Sequence, residues 1–140
     1  MDSGPSNILI VDDEPQICTL LGEMLSEQGF TCCPATSAAE AQQLLESREF
    51  RLVIMDIQMP GSSGLDLLAW IKRHRPDCKV ILMTGASRRE YLAQAIVLGA
   101  HEYIEKPFGN SELSEVVTRA LSVPGREDAG RVGAGRRFAV

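Results

Sequence analysis

Five chemically active residues lie at the ends of predicted strands, and their types suit the transfer of a phosphoryl group. Asp12 and Asp13 come after the first strand, Asp56 at the end of the third, Thr84 at the end of the fourth and Lys106 after the fifth. Three carboxylates that lie together raise one another's pKa unless a cation neutralises them, and oxygen ligands of this kind suit Mg²⁺. A metal, a lysine and a hydroxyl around one aspartate indicate that this aspartate carries an anion. A phosphoryl group on Asp56 is the candidate, because carboxylates act as phosphoryl-accepting nucleophiles.

The predicted strands must be parallel and belong to one sheet if these residues are to meet. Leu52 to Met55 (LVIM) is continuously apolar and bounded by turn residues, which is typical of a strand buried on both faces. Asp56 ends that strand, and ligands of open α/β sheets bind at the carboxyl ends of the strands. Each residue taken alone could instead cap a helix, satisfy a loop or carry a solvated charge. The whole set, in this order at strand ends, favours chemistry over those interpretations.

Five short segments are predicted to be strands, and three of them are continuously apolar runs. A proline in a strand is tolerated at a sheet edge or at a strand end, so Pro34 places the second strand at the edge of the sheet. Alternation with helices implies right-handed crossovers and a parallel sheet covered on both faces, which is an α/β fold. The predicted strands are Asn7 to Val11, Thr31 to Pro34, Leu52 to Asp56, Lys79 to Thr84 and Glu102 to Glu105.

Apolar residues at helical spacing predict five helices between and after these strands. Pro15 suits the first turn of the first helix and Gly29 its end, while Ser37 and Glu40 have the spacing of a capping box. Pro76 marks the end of the third helix. The predicted helices run from Pro15 to Gly29, from Ser37 through Leu45, from about Leu65 to Pro76, from about Arg88 to Leu98 and from about Leu113 to Leu121.

Length, charge and composition argue against several classes of protein. The 140 residues fit one domain, and 44% hydrophobic with 24% charged residues are typical of a soluble globular protein. A net charge of -5 argues against nucleic-acid binding by this domain. No apolar run approaches the length of a membrane span, and the N-terminal MDSGPSN does not have the features of a secretory signal. The sequence therefore predicts a cytoplasmic protein. The cysteines lack the spacing of a metal or redox motif, and His74 and His101 are expected to be lone and exposed.

The residues from Pro124 onward differ in composition from the rest of the chain. They are rich in Gly and Arg and lack apolar periodicity, so residues 1–123 are predicted to form the domain and residues 124–140 a disordered tail. The tail arginines are expected to belong to a solvated linker. Because no second domain follows Leu121, the chain is expected to be either a stand-alone domain or part of a longer protein.

The separated motifs resemble those of a known family. The order DD, D-x-x-M-P-x-x-x-G, T-G/A and K-P is similar to that of the receiver domain of two-component response regulators, over about Ile8 to Leu121. The resemblance, which extends to chemotaxis-type receivers, implies a flavodoxin-like three-layer fold with the strand order 2-1-3-4-5. This order agrees with the edge position inferred for the second strand.

The resemblance also implies how the acidic residues act. It implies that Asp56 is the phosphorylated residue and that Asp12 and Asp13 are the acidic pair that binds Mg²⁺ together with it. The backbone carbonyl of Gln58 would be a further ligand of the metal.

Three further motif residues take roles from the same resemblance. Thr84 matches the switch hydroxyl that moves toward the phosphoryl group, and Tyr103 matches the aromatic residue that turns inward on activation. Lys106 matches the lysine that contacts the phosphoryl group, and its peptide bond to Pro107 is expected to be cis.

The implied function is a phosphorylation-controlled switch in phosphorelay signal transduction. A histidine kinase or phosphotransfer protein would donate to Asp56, and the surface of helix four, strand five and helix five would then bind or release a downstream protein target. A phosphorylation-dependent dimer is one such outcome. The domain would assist its own phosphorylation and dephosphorylation without being an enzyme, and it would contact neither a membrane nor nucleic acid.

Other classes of protein share parts of this pattern. A small Mg²⁺-dependent phosphohydrolase with an aspartyl intermediate needs a second catalytic acid two residues after its nucleophile, where this chain has Gln58. A flavin-binding protein of the same fold needs a Ser/Thr/Gly-rich phosphate loop instead of an acidic edge. A receiver cut from a longer regulator, either DNA-binding or a hybrid kinase, is the remaining alternative.

Overall fold

The computed structural model describes residues 8–57, 64–85 and 89–122, apart from the side chains of residues 89–91. Strands and helices alternate along these residues, and no helix among them is both long and apolar enough to cross a membrane. The strands are β1 (Ile8–Val11), β2 (Cys32–Ala35), β3 (Leu52–Asp56), β4 (Lys79–Thr84) and β5 (Glu102–Glu105). The helices are α1 (Pro15–Ser26), α2 (Ala38–Ser47), α3 (Gly64–His74), α4 (Arg89–Leu98) and α5 (Asn110–Leu121).

The strands form one parallel sheet in the order β2-β1-β3-β4-β5. This order confirms the flavodoxin-like α/β fold and the edge position of the second strand. The second strand runs one residue later than predicted, from Cys32 to Ala35. The shift follows from its pairing with β1, because the Asp12 N–H donates to the Ala35 carbonyl oxygen at 3.1 Å and extends the ladder past Pro34.

Apolar side chains cover both faces of the sheet. Leu9, Val53 and Leu82 pack on the side of α2, α3 and α4, whereas Ile10 and Ile54 pack on the side of α1 and α5. All five are fully buried. Burial on both faces explains why β1 and β3 are continuously apolar instead of alternating, as parallel strands between two helical layers are.

Capping residues shape the end of α1 and the start of α2. The first helix ends at Ser26, and Gly29 follows in a turn with φ of 92°. At the start of α2, the Ser37 hydroxyl accepts from the Glu40 N–H at 3.0 Å, as in a capping box. The Glu40 carboxylate accepts at 2.9 Å from the N–H of Thr36 instead of that of Ser37. The bond from the Glu40 carboxylate is therefore displaced by one residue from its usual position. The N–H groups of Thr36 and Glu40 both have a hydrogen-bond partner.

Parts of several predictions lie outside the described residues. These are the first residue of the first strand, the start of the fourth helix and the tail, namely Asn7, Arg88 and residues 124–140.

Gly64, the first residue of α3, packs directly against the end of β3. A Cβ at this position would lie 2.5 Å from the Ile57 carbonyl oxygen and 2.9 Å from that of Asp56. Both neighbours are backbone atoms, which cannot move aside without displacing the end of the strand. Close packing therefore explains the glycine of the D-x-x-M-P-x-x-x-G motif.

Gly64→Ala is expected to lower the free energy of unfolding by about 1–3 kcal/mol, the usual cost of overpacking. Gly22→Ala is the matched control, because Gly22 lies inside α1 and a Cβ there meets nothing within 4 Å. Its gain in helix propensity should raise the free energy of unfolding by about 0.5–1 kcal/mol. Urea unfolding measures both changes, and effects of the same sign would contradict the packing argument.

A buried ion pair joins β5 to α5. The Glu102 side chain is fully buried, and Arg119 donates to its two carboxylate oxygens at 2.9 and 3.2 Å. His101 Nε2 lies 3.7 Å from the same carboxylate and its side chain is only 7% exposed, so the prediction of an exposed His101 is wrong. The sequence pattern does not reveal this cluster, because a charged residue enters the interior only when a partner from another element pairs with it.

Arg119→Met is expected to lower the free energy of unfolding by about 3 kcal/mol, because it leaves the Glu102 carboxylate buried without its guanidinium partner. Glu115→Gln is the control. Glu115 is the other carboxylate near Arg119, at 3.8 Å, and its side chain is 70% exposed, so its loss should change stability by less than about 0.5 kcal/mol. Urea unfolding compares the two variants. If Arg119→Met and Glu115→Gln have the same free energy of unfolding, the Glu102–Arg119 ion pair does not contribute to stability.

Candidate functional site

The carboxyl ends of four neighbouring strands meet at one edge of the sheet. Asp12 follows β1, Asp56 ends β3, Thr84 ends β4 and Lys106 follows β5. Parallel pairing makes residues as far apart as 94 positions adjacent at this edge. The backbone also joins the ends of β4 and β5, since the Lys106 N–H donates to the Thr84 carbonyl oxygen at 2.8 Å.

Three aspartates and one lysine form a compact charged cluster at this edge. One carboxylate oxygen each from Asp12, Asp13 and Asp56 lies within 4.8 Å of the others. Lys106 Nζ lies 3.1 Å from Asp56 Oδ2 and 3.5 Å from Asp12 Oδ2. The Asp12 side chain is 1% exposed and that of Asp56 15%, whereas Asp13 is exposed. The cluster is therefore buried at Asp12 and accessible at Asp13 and Asp56.

Burial and mutual attraction control the protonation of the cluster. Burial raises the pKa of the Asp12 carboxyl, and the hydrogen bond from the Glu14 N–H and the nearby Lys106 offset this only in part. Burial alone would lower the pKa of the Lys106 ammonium, but Asp56 and Asp12 raise it above its ordinary value. Lys106 therefore stays charged at neutral pH. Three carboxylates around one ammonium retain negative charge and offer oxygen donors, which fits a hard divalent cation such as Mg²⁺.

Asp12→Asn is expected to raise the free energy of unfolding of the metal-free protein at neutral pH by about 1 kcal/mol. A carboxyl with a raised folded-state pKa contributes stability that is full below its ordinary value of 3.8 and is lost as the pH rises through its folded-state pKa. At neutral pH the wild type therefore carries the cost of a buried charge that the amide lacks. Thermal unfolding in EDTA across the acidic and neutral range measures the difference.

The gain from Asp12→Asn should shrink as the pH falls through the raised folded-state pKa of Asp12 toward the ordinary value of 3.8, because the wild-type carboxyl takes up its proton in that range. Asp77→Asn, at an exposed position in the loop before β4, is the control and should leave the profile unchanged. Added Mg²⁺ should stabilise the wild type but not Asp12→Asn. If Asp12→Asn is less stable than the wild type in EDTA at every pH, the pKa of the Asp12 carboxyl is not raised by folding.

The residues with predicted switch roles lie on the neighbouring strands β4 and β5. Thr84 is fully buried, and its hydroxyl donates to the Gly85 carbonyl oxygen at 3.0 Å. Tyr103 is half-buried and packs against the core on the side of α2, α3 and α4. The Lys106–Pro107 peptide bond is cis, the geometry that the resemblance implies. Gln58, predicted as a backbone ligand, lies outside the described residues.

Comparison with known proteins decides which kind of domain carries this site. The family model of the response regulator receiver domain matches residues 8–118, most of the chain. The chain belongs to this family. Receiver domains of response regulators are signalling switches that accept a phosphoryl group. Among its relatives is the nitrogen assimilation regulatory protein NtrX of Azorhizobium caulinodans, to which the receiver is 38% identical over 117 residues. The aligned region covers 82% of this chain and 26% of that protein.

Solved receiver structures share this fold. The receiver domain of NtrX from Brucella abortus matches with a TM-score of 0.79 at 39% identity, covering 83% of this chain and 98% of that chain. The beryllofluoride-activated NtrC4 receiver domain dimer matches with a TM-score of 0.77 at 31% identity, covering 82% and 95%. This receiver spans about a quarter of the length of the curated relatives it matches.

Two further residues contact the backbone of the receiver's acidic cluster. Gly64 allows α3 to approach the carbonyl oxygen of Asp56, and the motif spacing identifies it without giving the reason. Cys18 Sγ lies 3.6 Å from the Asp12 carbonyl oxygen, and burial raises the pKa of its thiol, which keeps the thiol protonated as a weak donor. Nothing in the sequence distinguishes Cys18 from the other apolar residues of its helix.

Proposed function

We propose that this receiver accepts a phosphoryl group on Asp56 from the phosphohistidine of a histidine kinase or phosphotransfer protein. The proposal rests on the 3.1 Å ion pair between Lys106 and Asp56 inside the acidic cluster. A carboxylate held by an ammonium is oriented for nucleophilic attack, and the same ammonium can then contact the oxygens of the added group. The 15% exposure of the Asp56 side chain leaves it accessible to a donor.

In the proposed transfer, an Asp56 carboxylate oxygen forms a bond to phosphorus while the phosphorus–nitrogen bond of the donor breaks. The donor imidazole keeps the electron pair of the broken bond and takes up a proton. Lys106 offsets the charge of the phosphoryl oxygens, and Asp12 orients Lys106 from 3.5 Å. Mg²⁺ bound by Asp12, Asp13, Asp56 and the backbone carbonyl of Gln58 would supply further charge neutralisation.

The proposed output is a change in the surface of α4, β5 and α5. Phosphorylation adds negative charge next to Thr84, whose hydroxyl could exchange its bond to the Gly85 carbonyl for one to a phosphoryl oxygen. Tyr103, half-buried on β5, would then turn further inward. A downstream protein or a second receiver would bind the altered surface. The beryllofluoride-activated NtrC4 receiver is a dimer, which supports a phosphorylation-dependent dimer here.

The proposed setting is a cytoplasmic regulator longer than this chain. The curated relatives are about four times longer than the matched region, which supports a receiver that controls another part of the same polypeptide. In this proposal, residues 1–123 form the receiver and residues 124–140 the tail that follows it.

Acetyl phosphate tests the proposal, because a small phosphodonor requires no knowledge of the kinase. With Mg²⁺, the intact mass should increase by one phosphoryl group, and peptide mapping should assign a base-labile acyl phosphate to Asp56. In EDTA the mass should not change. Steady hydrolysis of a small phosphate ester without any retained phosphoryl group would instead favour a phosphohydrolase and contradict the proposal.

A further inference from the structure

A groove between α1 and the edge strand β2 plays no part in the proposed phosphoryl transfer. Its volume is about 820 Å³. Cys18, Phe30 and Pro34 contribute apolar surface, and the exposed residues Glu23 and Glu27 lie along its α1 side. These two glutamates are the charged residues that line the groove, and no lysine or arginine lines it among the described residues. The groove therefore combines an apolar floor with a negative rim.

We infer that the groove binds the chain's own C-terminal tail through its Arg136-Arg137-Phe138 segment. The tail has four arginines and two acidic residues, so it is positive in a chain whose net charge is -5. Glu23 lies on α1 and Glu27 is the residue that caps its end, with helical backbone angles and its N–H bonded to the Glu23 carbonyl oxygen. The two side chains are therefore spaced as neighbours on one helical face, within reach of two consecutive arginines. Phe138 supplies the apolar side chain that the floor would accept.

The tail begins at the end of the sheet where β2 begins. The Leu121 carbonyl oxygen, at the end of α5, accepts from Arg51 Nη2 at 2.9 Å, and Arg51 directly precedes β3. The register aligns the first residues of β3, β1 and β2, which are Leu52, Ile8 and Cys32. Neighbouring strands lie about 4.8 Å apart, so Cys32 is about 10 Å across the sheet from the start of β3. Residues 123–135 can span several times this distance at about 3.3 Å per residue.

Tethering explains how weak contacts could hold the segment in place. Exposed ion pairs contribute little individually. A segment attached to the same chain, however, is present at an effective concentration of about 1 mM or more, so modest contacts give substantial occupancy. The docking is independent of phosphorylation, and its loss would leave the chemistry of Asp56 untouched.

Alkylation of cysteines in the full 140-residue chain tests the docking. Cys32 lines the groove and is partly buried, whereas the adjacent Cys33 packs on the opposite face of the sheet and is also partly buried. Arg136→Glu combined with Arg137→Glu should increase the rate at which N-ethylmaleimide modifies Cys32 by roughly fivefold. The rate at Cys33 should not change. Buried Cys18 and Cys78 should stay unreactive, which reports that each variant is folded.

A charge swap separates docking from a general effect of charge. Glu23→Arg with Glu27→Arg should also release Cys32, and combining this pair with the two tail substitutions should restore its protection. Glu46→Arg with Glu49→Arg, at exposed positions on the other side of the sheet, is the charge-matched control and should have no effect. Unchanged Cys32 rates in all variants would overturn the inference. Protection that grows with protein concentration would also overturn it, because the tail of a second copy would then be the occupant.

Discussion

Asp56→Asn is expected to abolish the acceptance of a phosphoryl group from acetyl phosphate. The amide is a far weaker nucleophile than the carboxylate, so the rate of incorporation should fall by more than about 100-fold. The fold should survive, because Asp56 is partly exposed at the end of β3 and the substitution keeps the shape of the side chain. Radiolabelled acetyl phosphate in the presence of Mg²⁺, followed by denaturing electrophoresis, measures the incorporation.

Asp66→Asn is the matched control for Asp56→Asn. Asp66 is an exposed acid in the first turn of α3, close to Asp56 in sequence, and the account gives it no role in the transfer. This variant should incorporate label at the rate of the wild type. Retained labelling of Asp56→Asn at the wild-type rate would mean that another residue is the acceptor.

Lys106→Met is expected to slow phosphoryl transfer by about 100-fold or more, the usual cost of removing one group that stabilises transition-state charge. The substitution removes the ammonium that lies 3.1 Å from Asp56 and 3.5 Å from Asp12 while keeping most of the apolar stem. It should also raise the pKa of Asp12 further, since the lysine offsets part of the effect of burial there. The rate of mass increase with acetyl phosphate measures the first effect.

Two other substitutions show whether charge alone accounts for the effect of Lys106. Lys106→Arg keeps the positive charge but replaces a compact ammonium by a planar guanidinium, so it should recover only part of the rate. Arg73→Met removes an exposed cation from α3 and should have no effect on transfer. If Lys106→Met reacts with acetyl phosphate as fast as Arg73→Met does, Lys106 does not contribute to the rate of phosphoryl transfer.

The order of the elements and the edge position of the second strand could be predicted from local pattern, whereas the full strand order 2-1-3-4-5 came from the resemblance to receiver domains. Continuous apolar runs identified the central strands because both faces of the sheet are covered. Pro34 identified the edge strand because proline has no N–H to donate to a ladder. Contacts between distant elements could not be predicted in this way. Glu102 looked like an ordinary charged residue at a strand start, and only its pairing with Arg119 from α5 explains its burial.

The composition of the acidic cluster could be predicted, but not its electrostatics. The carboxyl ends of parallel strands share one edge, so Asp12, Asp56 and Lys106 are expected to meet. The Lys106 ammonium does lie 3.5 Å from the Asp12 carboxylate and 3.1 Å from that of Asp56. Asp12 is buried and Asp13 is exposed, a difference that two adjacent aspartates in a sequence do not reveal. Their roles in metal binding and transfer therefore stay predictions.

Binding of beryllofluoride tests the central claim most directly, because this mimic of an acyl phosphate needs the aspartate, the metal and the lysine together. Amide chemical shifts should be followed in the wild type and in Asp56→Asn, with Mg²⁺ and with EDTA. The account predicts saturable binding in the wild type that requires Mg²⁺, is lost in Asp56→Asn, and shifts the amides of Thr84, Tyr103 and α4. Absence of binding by the folded wild type with Mg²⁺, or equal binding by Asp56→Asn, would contradict it.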